Sequence, residues 1–154
     1  MDHQEARHSH PYRKLAIMTA LSFASMYILM YAMVDQLANV LPNLNQFYMA
    51  ALMTAPMVAI ELALMGAMYP SKRTNLSLMT AAILVLVSAF ALIRTQGAVG
   101  DRAFLRSMIP HHAGAVLMCE RAQITDSDIR ALCASIVTSQ REEIAQMKSL
   151  LARQ

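Results

Sequence analysis

Charged residues are scarce in this chain, and tryptophan is absent. Only 15% of the 154 residues are charged, against about 25% in an average soluble domain. Glycine is also sparse, and the sequence contains no phosphate-binding glycine loop, nucleophile–base arrangement or pair of catalytic carboxylates. The net charge is only +3, without the clustered basic surface of a nucleic-acid-binding protein. These absences argue against a soluble domain, an enzyme and a nucleic-acid partner.

Long hydrophobic stretches fill the first two thirds of the chain instead. No residue from 15 to 34 or from 75 to 93 is charged, and Glu61 is the only carboxylate or base between 36 and 70. A helix needs about 20 apolar residues to cross the hydrocarbon core of a bilayer. The sequence therefore predicts an all-α membrane protein with a tail at 1–14 and a transmembrane domain at 15–95. Its three spans are expected at about 15–37, 47–69 and 75–95.

Lysine and arginine in the short connections predict the orientation of these spans. Arg7, Arg13 and Lys14 precede the first span, and Lys72 and Arg73 follow the second. The connection between the first two spans, residues 35–46, carries no lysine or arginine. We therefore expect the N-terminus in the cytoplasm and everything after Arg94 outside, in the periplasm or the extracellular space.

Residues 100–154 predict a small extramembrane domain, an antiparallel hairpin of two amphipathic helices. The helices are expected at 101–123 and 127–153, with Pro110 causing a kink or a late start in the first. Thr125 followed by Asp128 is typical of a capping box at the start of the second helix. Gly97 and Gly100 predict a joint between the third span and this domain.

A hairpin that turns near Thr125 pairs positions whose numbers sum to roughly 252. On that register Cys119 faces Cys133, and His112 faces Gln140. The two cysteines are predicted to lie outside the cell, where disulfides persist. A disulfide, a pair of Cu(I)-binding thiolates and two buried free thiols all remain open.

The hairpin also carries the residues best suited to bind a metal. Met108, His111, His112 and Met118 share one broad face of the first helix, and Gln140, Glu143 and Met147 line one side of the second. Imidazoles, thioethers and a carboxylate that face each other across helices are how helical proteins build metal sites. The alternative is that the histidines are solvated at a helix end and the methionines fill a core.

Two motifs in this region resemble those of the bacterial family known as domain of unknown function 305. The first runs from Asp101 to Met118 and contains Met-Ile-Pro-His-His; the second comprises Ile136, Gln140, Glu143, Ile144 and Met147. The resemblance covers about residues 100–152 and implies a ferritin-like half-bundle that binds copper or silver. It implies Met108, His111, His112, Met118 and Met147 as ligands, with Glu143 and Gln140 as oxygen donors or supporting groups.

The second span has a separate pattern that suggests a rival function. Met49, Met53, Met57, Glu61 and Met65 recur every four residues, and alanines from Ala51 to Ala67 recur on the opposite side. The methionine side with Glu61 would suit a transporter or channel for soft cations. The alanine side would let a helix with Ala16, Ala20 and Ala24 approach closely. Methionine packing with Glu61 protonated or hydrogen-bonded is the simpler interpretation.

Together these patterns predict a multi-pass protein of the bacterial inner membrane that binds soft metal ions for sequestration or hand-over. Cu(I) is the expected ion, with silver or zinc as alternatives. Because two helices alone bury little apolar surface, we expect the hairpin to pair with a second copy in a homo-oligomer or to pack on the membrane domain. A metal-transfer partner of unknown identity is also expected. The alternatives are the transporter above and a structural oligomerisation module.

Overall fold

The computed structural model describes residues 11–154, and every regular element in this range is helical. This confirms the all-α prediction. The predicted tail at 1–14 lies outside the described residues except for its last four, which are already helical. The α-helices are α1 (Pro11–Leu29), α2 (Leu44–Leu64), α3 (Lys72–Thr95), α4 (Asp101–Arg121) and α5 (Ser127–Leu151). Short 3₁₀ turns lie at Met30–Met33, Leu37–Asn39 and Gly66–Met68.

The first three helices are long and apolar enough to cross a membrane, by length and composition. The candidate spans are Pro11–Met33, Leu44–Leu64 and Lys72–Thr95, with 23, 21 and 24 residues. Each begins a few residues before its predicted start. The second also ends earlier than residue 69, because the chain enters the 3₁₀ turn at Gly66 ahead of Pro70. The third begins early because the Ser71 side chain caps it by accepting the Thr74 amide.

The chain forms two compact units, and the first comprises residues 11–28 and 47–97. Its buried core consists of Leu15, Val58, Leu62, Tyr69 and Ala82. The Tyr12 hydroxyl donates to Asn75 Oδ1 at 2.8 Å and accepts from the Ser71 amide at 3.1 Å. These bonds hold the start of α1 beside the start of α3.

The second unit comprises residues 29–46 and 98–154, so the end of the first candidate span, the connection after it and the start of α2 pack with the hairpin. Its core consists of Leu105, Ile109, Ala113, Ile144 and Met147, with Val34, Leu41, Met108 and Leu151 packed against it. The connection is also held by polar bonds. Arg106 Nε donates to the Pro42 carbonyl at 3.0 Å, and Ser107 Oγ donates to Asn43 Oδ1 at 3.3 Å.

The hairpin differs from the prediction at two points. Asp126, not Thr125, caps α5, because its carboxylate accepts the amides of Asp128 and Ile129 at 2.9 and 3.0 Å. Pro110 lies inside a helix that already begins at Asp101, so a late start is wrong. The predicted joint at Gly97 and Gly100 lies between the end of α3 and the start of α4. Its left-handed residues are Gln96 and Ala98, with φ of 51° and 59°.

Candidate metal centre

A histidine–glutamate pair joins the two helices of the hairpin. His112 Nε2 lies 3.0 Å from Glu143 Oε2, and their side chains are 13% and 45% exposed. The predicted register places Gln140 opposite His112, whereas the side chain that His112 contacts in the structure is Glu143, three residues further along α5. Because side chains lean toward the N-terminus of their own helix, the pairing of backbone positions does not by itself fix which side-chain tips meet.

Both partners of this pair are held in place by further hydrogen bonds. His112 Nδ1 lies 2.9 Å from the carbonyl oxygen of Met108, one turn earlier on α4. Ser139 Oγ donates to Glu143 Oε1 at 2.9 Å, one turn earlier on α5. Sequence reasoning missed Ser139, although its spacing of four residues from Glu143 is a signal for such a contact.

The two bonds to His112 restrict how its ring can be protonated. A carbonyl oxygen only accepts hydrogen bonds, so Nδ1 carries the hydrogen that faces Met108. Nε2 then faces a carboxylate, which also accepts, and a neutral imidazole has only one N–H. The contact is therefore favourable when a proton lies between Nε2 and Glu143 Oε2, since 3.0 Å is a hydrogen-bond distance.

Two methionines flank the pair at the next turn of each helix. Met108 lies four residues before His112, and Met147 lies four residues after Glu143. In an antiparallel hairpin these offsets run in the same direction, so both methionines lie toward the same side of the pair. Met147 is 9% exposed and belongs to the buried core, against which Met108 packs. The arrangement thus places imidazole, carboxylate and two thioethers within about one turn of each other.

The remaining predicted ligands, His111 and Met118, lie apart from this group. His111 is exposed, with its ring centroid 5.9 Å from that of His112 and the ring planes at 82°. Met118 is 59% exposed. Within residues 11–154, no group of three or more His, Cys, Asp or Glu side chains is placed to hold a metal. An ion at His112 would therefore need the methionines as further ligands.

The two cysteines form a disulfide beyond this group, toward the tip of the hairpin. Cys119 and Cys133 are bonded to each other, with their Cα atoms 5.2 Å apart. The predicted facing of the two residues is confirmed. In this state neither sulfur is a thiolate that could bind a metal.

The methionine side of the second span does not form a comparable site. Met49, Met53 and Met65 are 38–46% exposed on the surface of the unit. Glu61 instead accepts a hydrogen bond from the Tyr69 hydroxyl at 3.1 Å, as the simpler interpretation expects.

Comparisons with known proteins bear on both parts of the chain. Residues 86–151 match a protein family described as Domain of unknown function (DUF305). The chain is also 31% identical over 140 residues to the uncharacterized protein L153 of Acanthamoeba polyphaga mimivirus. That alignment covers 89% of this chain and 90% of the viral protein, so it includes the spans as well as the hairpin. No solved structure matches the chain.

Proposed function

The chain belongs to the family that includes the mimivirus protein L153 and carries a C-terminal DUF305 domain, and on this premise we propose that it is a membrane-anchored binder of soft metal ions. Cu(I) is the ion that its hairpin fits best, and the role is sequestration or hand-over in metal homeostasis. Ag(I) fits the same donors, whereas Zn(II) depends more on nitrogen and oxygen.

The observation that carries this proposal is the environment of His112. A metal-binding histidine commonly donates its other ring nitrogen to a carbonyl oxygen, which fixes the tautomer that leaves one nitrogen free. Met108 supplies such a carbonyl at 2.9 Å, and the other nitrogen points at Glu143. An ion in place of the second proton would satisfy both Nε2 and the carboxylate.

The donor set selects the type of ion. Thioethers select Cu(I) and Ag(I), and imidazole suits copper and zinc. We assign Met108, His112 and Met147 as the ligands of a soft ion, with Glu143 balancing its charge or joining the ligands of a harder one. His111 and Met118 are exposed and are available to a second copy of the hairpin.

Orientation and assembly complete the proposal. The alternation of basic residues favours a hairpin on the outer side of a bacterial inner membrane. The Cys119–Cys133 disulfide supports this side, since disulfides persist in oxidising compartments. The hairpin also exposes Phe104, Met118, Ile129 and Leu132 by 49–59%, a surface suited to pairing with another copy.

Titration of the full-length protein in detergent with Ag(I) and Zn(II) tests the site. His112→Ala should weaken binding of both ions, because it removes the nitrogen donor common to them. Met108→Leu and Met147→Leu should weaken Ag(I) binding selectively, because they remove only soft donors.

Each change has a matched control on the exposed side of the hairpin. His111→Ala and Met118→Leu should leave the affinity of a single chain unchanged. If His112→Ala, Met108→Leu and Met147→Leu all bind both ions as the parent does, the group is packing and the proposal is wrong.

A further inference from the structure

An open apolar cavity of about 750 Å³ lies among the three spans, within the first unit. Its walls are mostly small or aliphatic residues from all three helices. They include Ala16, Ala20, Ala51, Ala55, Ala81 and Val85. The alanines that sequence analysis expected to bring two helices together thus line a space large enough for a small ligand.

From its shape and the charges at its end, we propose that this cavity holds one acyl chain of an anionic phospholipid. The proposal rests on the membrane placement proposed above and not on metal binding. It assigns a lipid site to α1, α2 and α3.

The length of the cavity matches one leaflet of a bilayer. Along α1 its lining extends from Tyr12 to Phe23. Eleven residue steps of an α-helix rise about 16 Å, at about 1.5 Å per residue. One leaflet contributes about half of a hydrocarbon core that is about 30 Å thick. A cavity of this length therefore accommodates an acyl chain from one side of the membrane only.

The side is identified by polar and basic residues at one end. Tyr12 and Thr74 line the cavity there, and tyrosines favour the interface between hydrocarbon and headgroups. Two pairs of exposed basic residues adjoin them in sequence, Arg13 with Lys14 and Lys72 with Arg73. Because Tyr12 bonds to Ser71 and Asn75, both pairs lie at the same end of the unit.

The charge balance of the unit favours an anionic headgroup. Glu61 is the only carboxylate within residues 11–28 and 47–97, and the Tyr69 hydroxyl donates a hydrogen bond to it. Lysines and arginines near the bilayer surface attract anionic lipids. The distribution of basic residues favours the cytoplasmic side for this end of the unit. The cavity then opens to the cytoplasmic leaflet, which is rich in anionic lipids.

Native mass spectrometry of the full-length protein in detergent tests the proposal. The probes are phosphatidylglycerol and phosphatidylcholine with identical palmitoyl chains, added in equal amounts. The parent should retain phosphatidylglycerol in severalfold excess over phosphatidylcholine. Ala20→Phe with Ala81→Phe should lower the retention of both lipids severalfold, because the new rings fill the cavity. Lys72→Gln with Arg73→Gln should reduce only the preference for the anionic headgroup, because Arg13 and Lys14 remain.

Matched controls separate the site from general lipid contact. Ala63→Phe with Ala91→Phe places the same rings on exposed positions of α2 and α3 that do not line the cavity, and retention should match the parent. Arg94→Gln with Arg102→Gln removes two charges elsewhere and should keep the preference. All variants should bind Ag(I) as the parent does, because none of the changes lies in the hairpin site. The lipid measurement therefore stands or fails independently of the metal proposal.

Two results would overturn the inference. Equal retention by the cavity-filling and control variants would mean that the lipid is only the general surrounding layer. A parent that holds no lipid but loses a dimeric mass when the cavity is filled would mean that a second copy occupies it.

Discussion

At the residue scale, the chemistry of the hairpin depends on what a single imidazole ring faces. His112 has an oxygen atom beside each ring nitrogen, at 2.9 and 3.0 Å. Such a ring is stable when a proton or an ion occupies the side toward Glu143. In the proposed metal site, Met108 and Met147 would decide which ion is preferred, because thioethers are soft donors.

A substitution at Glu143 distinguishes the binding of Zn(II) from the binding of Ag(I), a softer ion. Glu143→Gln keeps the shape of the side chain but removes its negative charge. Zn(II) affinity should fall by about 10–100-fold, the usual effect of losing a charged partner beside a metal-binding histidine. Ag(I) affinity should change little, because the thioethers and the imidazole remain. Competition titration of the full-length protein with both ions measures the two effects.

The neighbouring residue supplies the control for this substitution. Glu142 is exposed on α5, so Glu142→Gln makes the same chemical change away from His112. It should leave both affinities at parent values. Equal losses of Ag(I) and Zn(II) binding in Glu143→Gln would instead mean that the carboxylate supports the fold of the site.

Sequence alone identified the residue types of this group but not which of them meet. Helix periodicity placed Met108 and His112 on one side of α4, and Glu143 and Met147 on one side of α5. It did not exclude His111 and Met118, because the four residues span a face about 120 degrees wide, part of which is exposed in the structure. The pairing of His112 with Glu143 depends on the direction in which each side chain leaves its helix, which a register of backbone positions does not describe.

At the scale of elements, the hairpin is fixed at its tip by a disulfide and a helix cap. Cys119 and Cys133 are separated by 14 residues in sequence. A turn near Thr125 predicted that they face each other, and their bond confirms it. The cap was misplaced by one residue. Asp126 accepts two amides of α5, whereas the pattern of Thr125 and Asp128 suggested a capping box. Both Thr and Asp are good caps, so sequence could not decide between adjacent candidates.

The position of the cap leads to a measurable difference between neighbours. Asp126→Ala should destabilise the first turn of α5 by about 1 kcal/mol, because the amides of Asp128 and Ile129 lose their acceptor. Hydrogen exchange at these two amides should become faster. Thr125→Ala is the matched control and should leave their exchange unchanged. Faster exchange in Thr125→Ala than in Asp126→Ala would restore the capping box.

At the scale of the whole molecule, hydropathy predicted the number of helices that could cross a membrane and their approximate limits. It could not predict that residues 29–46 pack with the hairpin. That packing depends on contacts distant in sequence, such as Arg106 with Pro42 and Ser107 with Asn43. It also buries Asn39 and Asn43 completely or nearly so, although their composition is typical of an exposed turn.

The orientation of the molecule decides whether the hairpin lies outside the cytoplasm, in an oxidising compartment where a disulfide persists. Positive charge at Lys72 and Arg73, and its absence from residues 35–46, favours the second connection inside and the first outside. Ala38 and Pro70 are exposed in these two connections, and the native cysteines are already bonded to each other. Cysteines placed at Ala38 and Pro70 would therefore be the only reactive thiols among residues 11–154.

A thiol reagent that cannot cross membranes tests this orientation in intact bacterial cells. It should label Ala38→Cys directly and label Pro70→Cys only after the membrane is permeabilised. Labelling both variants in the permeabilised sample controls for accessibility of each site. The reverse pattern would place the hairpin in the reducing cytoplasm, where the Cys119–Cys133 disulfide would not persist. A hairpin there would have two thiols available as soft ligands, and the metal would then be sought at the cysteines rather than at His112.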